Sequence, residues 1–240
     1  LEIDASPERV WEALTTAEDL ERWFPLEARV EPGVGGSVWL SWKNEYAATS
    51  EIVEWEPARA LAYSWGWSPD SPPQVTRFEI EGRGGRTRLR VVTSGFPAGA
   101  TWDDWVEGTR LGWSFELRGL RQYLERHDGE ERHVVYLRRV ARLTREETAR
   151  RLFGPGGLSS HGPAGVPFDE GEPTQYACEL DGGGLFRLSM NEPSPGSDER
   201  AVVVWAQAWG EGAARRMALL GREWRERLEG ALPEGETLAG

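Results

Sequence analysis

Lysine is almost absent from this sequence of 240 residues: Lys43 stands alone among 28 basic residues, the rest being arginine, a bias that points to a GC-rich source. Cysteine is nearly absent too. A single Cys178 cannot form an internal disulfide, so the fold must hold without one, which fits a reducing compartment. No apolar run approaches the length of a membrane span. No charged-then-apolar leader opens the sequence, which starts at Leu1 inside a strand-like stretch, and a cytoplasmic location is the expectation. A basic excess is missing as well. The net charge is −12, shared as −7 over residues 1–126 and −5 over the remainder. With no basic stripe in either half, neither nucleic acid nor an anionic membrane is an expected partner. Acidity of this kind reads as solubility.

What is present is an ordinary globular balance, 39% hydrophobic and 28% charged, in a length that suits one large domain or two small ones. Residues 6–24 read as a helix pair. Ser6 can cap it, Pro7 suits the first helical position, and Arg9 stands where a capping-box acid would sit. A second short stretch runs from Asp19 to Phe24, and Pro25 ends it. Residues 28–96 read as consecutive antiparallel strands, broken by turns at 31–36, 56–60, 68–73 and 81–86. Residues 101–125 predict a long amphipathic helix capped by Thr101. Trp102, Trp105, Val106, Thr109, Trp113, Leu117, Leu120 and Leu124 lie along one side. Gly108 and Gly112 cost helix stability, with close approach of the sheet as the suggested return.

Residues 127–132 are polar and form the expected boundary. A shorter series follows: a strand from His133, a helix capped by Thr144 with Glu147 at the capping-box position, and a glycine-rich loop at 154–165. Three strands and a final amphipathic helix through Met217, Leu220, Trp224 and Leu228 complete it. The order strand, helix, strands, helix thus occurs twice, which predicts domains at 1–126 and 133–240, the second a reduced repeat.

The stretch IDASPERVWEALTTAEDLERWF, the glycine turn EPGVGGSVWL, the segment SEIVEWEPARALAYSW and the closing TSGF-plus-helix pattern arrive in one order. Together they make residues 3–125 resemble the SRPBCC or START-like superfamily, nearest the bacterial homologues of the activator of the heat-shock-protein-ninety ATPase. The resemblance implies an α+β helix-grip fold, a curved antiparallel sheet around a long C-terminal helix, with a cavity between them. Such cavities hold lipids, polyketides, hormones and other apolar ligands. It carries over no catalytic residue and no cofactor, because one fold hosts many activities.

Ten of the 13 tryptophans fall in residues 1–126. Trp39, Trp65, Trp67, Phe78, Trp105 and Trp113 are the candidates for lining a ligand cavity. The alternative is that the rings fill the core and leave no cavity. Trp39 and Trp42 lie on opposite faces of one strand, so they cannot line the same pocket. His127, His133 and His161 fit no metal spacing, so no metal site is expected. Cys178 reads as a buried, inert thiol. The loop at 154–165 lacks the Gly-Lys-Ser/Thr ending of a phosphate loop, and its Ser159, Ser160 and His161 are adjacent in a flexible segment. The pairs Asp103/Asp104 and Glu130/Glu131 suit a helix start and a hinge better than acid–base work. Asn44, Glu45 and Tyr46 interrupt a tryptophan-rich strand, as a turn or as polar groups at a cavity mouth. The leading expectation is a non-catalytic binder of a small apolar or aromatic ligand. The alternatives are a cyclase/aromatase-like or hydrolase-like enzyme in the same cavity, and a chaperone-associated module working through a protein partner.

Overall fold

The computed structural model describes residues 1–43, 47–65, 73–97, 99–168, 172–191, 199–234 and 236–239. The chain divides into two compact units. One comprises Leu1–Trp102 with Glu116–Glu130, the other Asp103–Phe115 with Glu131–Gly240.

The first unit opens with strand β1 (Glu2–Ile3) and two short helices, α1 (Pro7–Thr15) and α2 (Ala17–Glu21). Ser6 caps α1 through the Arg9 amide at 3.2 Å, with Pro7 at the first helical positions as expected. Helix α2 begins two residues before Asp19, because Thr16 caps it. Six strands follow: β2 (Glu27–Glu31), β3 (Ser37–Ser41), β4 (Ala47–Glu56), β5 (Ala60–Trp65), β6 (Gln74–Arg83) and β7 (Arg86–Ser94). They form one antiparallel sheet in the order β1-β7-β6-β5-β4-β3-β2. At Gly36 an added Cβ would lie 2.1 Å from the Glu31 carbonyl oxygen, so only glycine closes the turn from β2 into β3. The register of β4 slips between Ile52 and Glu54, a bulge that bends the strand.

Helix α3 (Ala100–Arg126) ends this half. Its N-cap is Gly99, at φ 128° and without a side-chain cap, and not the expected Thr101. Of the expected stripe Leu120 and Leu124 are buried, but Val106 is 45% exposed, and Leu111, Phe115 and Tyr123, outside that stripe, are buried as well. The helix serves two cores. Its stretch Asp103–Phe115 groups with the second unit and the rest with the first, so no single stripe describes it. At Gly108 and Gly112 an added Cβ would meet nothing, so neither glycine permits a close approach.

In the second unit, β8 (His133–Ala141) is followed by α4 (Arg145–Phe153) and a 3-10 turn at Leu158–His161, inside the segment read as a loop. Then come β9 (Gly165–Phe168), β10 (Gln175–Leu180), β11 (Leu185–Asn191), β12 (Arg200–Ala208), α5 (Ala213–Ala231) and β13 (Thr237–Ala239). Thr144 caps α4 as expected, but the Glu147 carboxylate turns to Arg150 and Arg151. The sheet order is β13-β8-β12-β11-β10-β9. Strands β9 and β13, which the sequence pattern did not reveal, are its edges. In both sheets the unit's opening strand pairs with the strand that precedes its long final helix, β1 with β7 and β8 with β12. The intervening strands then follow in reverse order.

One face of the second sheet carries an apolar core. Val135, Leu137, Cys178, Phe186, Leu188, Val202, Val204 and Ala206 pack with Leu152 of α4 and with Met217, Trp224 and Leu228 of α5. The rings of Phe186 and Trp224 lie 4.6 Å apart. Among the described residues no helix is long and apolar enough to cross a membrane.

Candidate functional site on the inner sheet face

Antiparallel pairing assigns each side chain of the first sheet to a face. Across β5, β6 and β7, Tyr63 pairs with Thr76, Leu61 with Phe78, Trp65 with Gln74, and Thr76 with Thr93. These residues share the inner face with Ile52, Ile80 and Leu89, all buried. The opposite face belongs to ions. Arg77 holds Glu54 through Nε at 2.6 Å and also pairs with Glu79, which Arg90 meets at 3.1 Å. The hydrogen bond from Arg77 keeps the Glu54 carboxyl below its usual range. A charged lattice on one face and rings on the other leave only the inner face suited to an apolar ligand.

The inner face changes character along its length. At the end nearer the turn between β4 and β5, it is filled. Trp11 of α1 meets Trp55 edge-on at 4.9 Å, and Trp23 is fully buried, donating its indole N–H to the Ala13 carbonyl at 2.8 Å. Toward the other end stand Tyr63, Trp65, Gln74, Thr76 and Thr93. The Thr76 and Thr93 hydroxyls satisfy each other at 3.2 Å. Tyr63 packs against Phe78 at 5.7 Å, and burial alone drives its hydroxyl well above the ordinary phenol range. Gln74 is 1% exposed, and neither its Oε1 nor its Nε2 has a hydrogen-bond partner among the described residues. Buried amides are almost always paired, which makes this one an exception on the inner face. Sequence reading passed over Gln74. A glutamine at an alternating position of an otherwise apolar strand face was the available signal.

The six ring candidates separate. Trp65 and Phe78 are on the inner face. Trp39 is on the other side: it pairs with Arg29 and Thr49, and the Arg29 guanidinium covers its ring at 4.5 Å. The alternation of β3 buries Val38 and Leu40 instead, so Trp39 leaves the set. Trp42, by contrast, stands edge-on to Phe24 at 5.5 Å. Trp105 and Trp113 lie in the part of α3 that groups with the second unit. Trp67 lies outside the described residues, as do Asn44, Glu45 and Tyr46.

A polar cluster ties α1, α2 and the end of α3 together. Arg9, the misfit at the capping-box position, grips Asp19 through Nη1 and Nη2 at 2.9 and 2.8 Å. It also donates to Asp128 at 2.6 Å and to the Tyr123 hydroxyl at 3.0 Å. Tyr123 in turn donates to Asp19. Burial works against the Asp19 charge, but the hydrogen bonds from Arg9 and Tyr123 prevail and hold its carboxyl below the usual range. Every group here has a partner, and the arrangement is that of a structural clasp.

The remaining candidates make local contacts. His127 Nδ1 meets Glu130 at 2.9 Å in the connection after α3. The Ser160 hydroxyl donates to the Gly157 carbonyl at 2.6 Å within the turn, and the His161 backbone carbonyl accepts from Arg227 of α5 at 3.1 Å. Burial pushes the Cys178 thiol up to about 11. Among the described residues no cluster of His, Cys, Asp and Glu could hold a metal.

No curated protein matches the chain. Several solved structures resemble it. The Aha1 dimer from Colwellia psychrerythraea is 22% identical with a TM-score of 0.48, over 54% of this chain and 95% of that one. A Mesorhizobium loti protein is 28% identical with a TM-score of 0.48, over 53% and 96%. DynU16, a protein of the dynemicin biosynthetic locus, is 17% identical with a TM-score of 0.46, over 96% and 92%. Residues 4–125, half of the sequence, match the family described as Activator of Hsp90 ATPase homolog 1-like protein. With the antiparallel sheet, its closing helix and the order of motifs along it, that match places the chain in this family.

Proposed function

We propose that the first unit binds a small apolar or aromatic molecule against the inner face of its sheet, with Gln74 as the polar group that orients it. The observation that carries the reading is the Gln74 amide, buried with both ends unpaired among the described residues. An unmet buried polar group costs about 1–3 kcal/mol, and a ligand that meets it recovers that penalty. Around it the rings of Tyr63, Trp65 and Phe78 offer apolar area, and the Thr76–Thr93 pair is already satisfied. A mostly apolar lining with one well-placed polar group is the usual composition of a small-molecule site. The shared strand order of the two sheets supports reading residues 133–240 as a shortened second copy of the same fold.

Native mass spectrometry of the purified chain, with extraction and identification of any retained small molecule, tests the ligand reading. A retained apolar compound that is lost in Gln74→Leu supports it. A bare protein mass, together with unchanged tryptophan fluorescence across a library of lipids and aromatics, overturns it. The family description favours a second reading, contact with an Hsp90-type chaperone through a surface of the first unit. It expects the ATPase rate of a purified Hsp90 to rise on adding this protein, equally for wild type and Gln74→Leu.

A further inference from the structure

Gln74 asks for two things at once. Its Oε1 is an acceptor and its Nε2 a donor, both in one plane, and neither is met among the described residues although the residue is 1% exposed. Exchanging the two ends of the amide changes nothing, since both are open. The next polar side chain on this face of β6, Thr76, is already engaged with Thr93 at 3.2 Å.

The backbone that carries this amide is held on both sides. Register pairs Gln74 with Trp65 of β5, and the next residue, Val75, with Ser94 of β7. At Gly95 an added Cβ would stand 2.5 Å from the Pro73 carbonyl oxygen and 3.1 Å from the Gln74 Cα, so the chain after β7 closes tightly on this backbone. Directly paired residues on one sheet face have Cβ atoms roughly 5 Å apart, so one flat molecule reaches both the Gln74 amide and the Trp65 ring.

These facts narrow the chemistry of the ligand. A carboxylate offers acceptors only and would leave Oε1 facing a second acceptor. It would also bring a charge to a face on which β5, β6 and β7 place no cation among the described residues. An ether or a ketone meets Nε2 and leaves Oε1 open. A neutral group that holds an N–H and a C=O side by side in cis, as a cyclic amide does, meets both ends through two parallel hydrogen bonds. From this pairing we infer that the ligand of the first unit is an aromatic lactam, paired with the Gln74 amide and lying along the Trp65 ring. The inference rests on the ligand reading above and adds to it the class of compound.

The test is isothermal titration calorimetry of the full chain with the lactam isocarbostyril and with its N-methyl derivative, which keeps the rings and the carbonyl but loses the donor. Wild type is expected to bind isocarbostyril saturably, one to one, and at least tenfold tighter than the N-methyl compound. This comparison needs no variant that must fold. In Gln74→Leu the difference is expected to shrink below twofold. A preference that persists in the variant is steric and overturns the inference. Equal affinities in wild type overturn it too, while leaving the ligand reading in place. Saturable binding of neither compound also overturns it, because ordered water alone then meets the amide. If the chain is in addition bare in native mass spectrometry, the ligand reading falls with it.

Discussion

Arg9 and Asp19 face each other in a two-point grip, both guanidinium Nη atoms on both carboxylate oxygens, at 2.9 and 2.8 Å. Their side chains are 21% and 13% exposed, so the pair is largely out of water. Removing Arg9 leaves the largely buried Asp19 with the Tyr123 and Thr16 hydroxyls and Arg22 at 3.5 Å, and takes away its two-point partner. Arg9→Met is expected to destabilise the first unit by about 2–4 kcal/mol, read as a lower urea midpoint. An unchanged midpoint sinks the account of the clasp.

The same pair gives a pH dependence. The folded Asp19 carboxyl lies below its unfolded value, near 4. Its contribution is therefore complete above the unfolded value and is lost as pH falls through the lowered, folded one. Urea titrations from pH 6 down to pH 2 are expected to show a shallower acid loss of stability in Asp19→Asn than in wild type. Parallel curves argue that other carboxylates set the acid limb.

Gln74→Leu makes the opposite kind of prediction. Replacing an amide unmet at both ends with an apolar side chain of similar size raises ligand-free stability, by about 1 kcal/mol. Differential scanning calorimetry of extracted protein checks this. A fall of similar size means the amide is already satisfied.

Trp224 and Phe186 anchor the second core. Trp224→Ala is expected to cost about 3–5 kcal/mol, because both rings are buried and the cavity left would be large. Loss of cooperativity in far-ultraviolet circular dichroism melts of this variant is the readout, and a wild-type melting curve contradicts the placement of the core.

Cys178 is expected to be unreactive. It is fully buried and its thiol sits at about 11, so at pH 8 the native protein reacts with a disulfide reagent at least a hundredfold more slowly than the urea-unfolded chain. Comparable rates place the thiol at a surface.

Local signals in the sequence were strongest where chemistry and geometry coincide within a few residues. Ser6 with Pro7 and Thr144 start their helices as expected, and the glycine turn at 31–36 opens β3. Signals that depend on partners far along the chain were weak. Arg9 looked like a poor capping residue because Asp19 and Asp128, which explain it, are 10 and 119 positions away. Trp39 looked like a pocket ring because periodicity gives alternation along β3 but not which side turns inward; Arg29, across the ladder, settles that. Gln74 carried no signal of its own, since an unmet amide is a property of its surroundings and not of its letter. The stripe on α3 misled because a periodic pattern presumes one core, and this helix has two.

That division of α3 bears on where the gene can be cut. The family match ends at residue 125, yet Phe115 lies against Arg187 and Phe168 of the second unit. Expressing residues 1–126 alone would strip Phe115 of Phe168 and Arg187 and turn an interior surface outward. Severing the chain before Asp103 would instead deprive the first sheet of Leu120, Tyr123 and Leu124. No single cut gives two intact halves, so fusion, truncation and shuffling of this protein must carry α3 with both of its sheets.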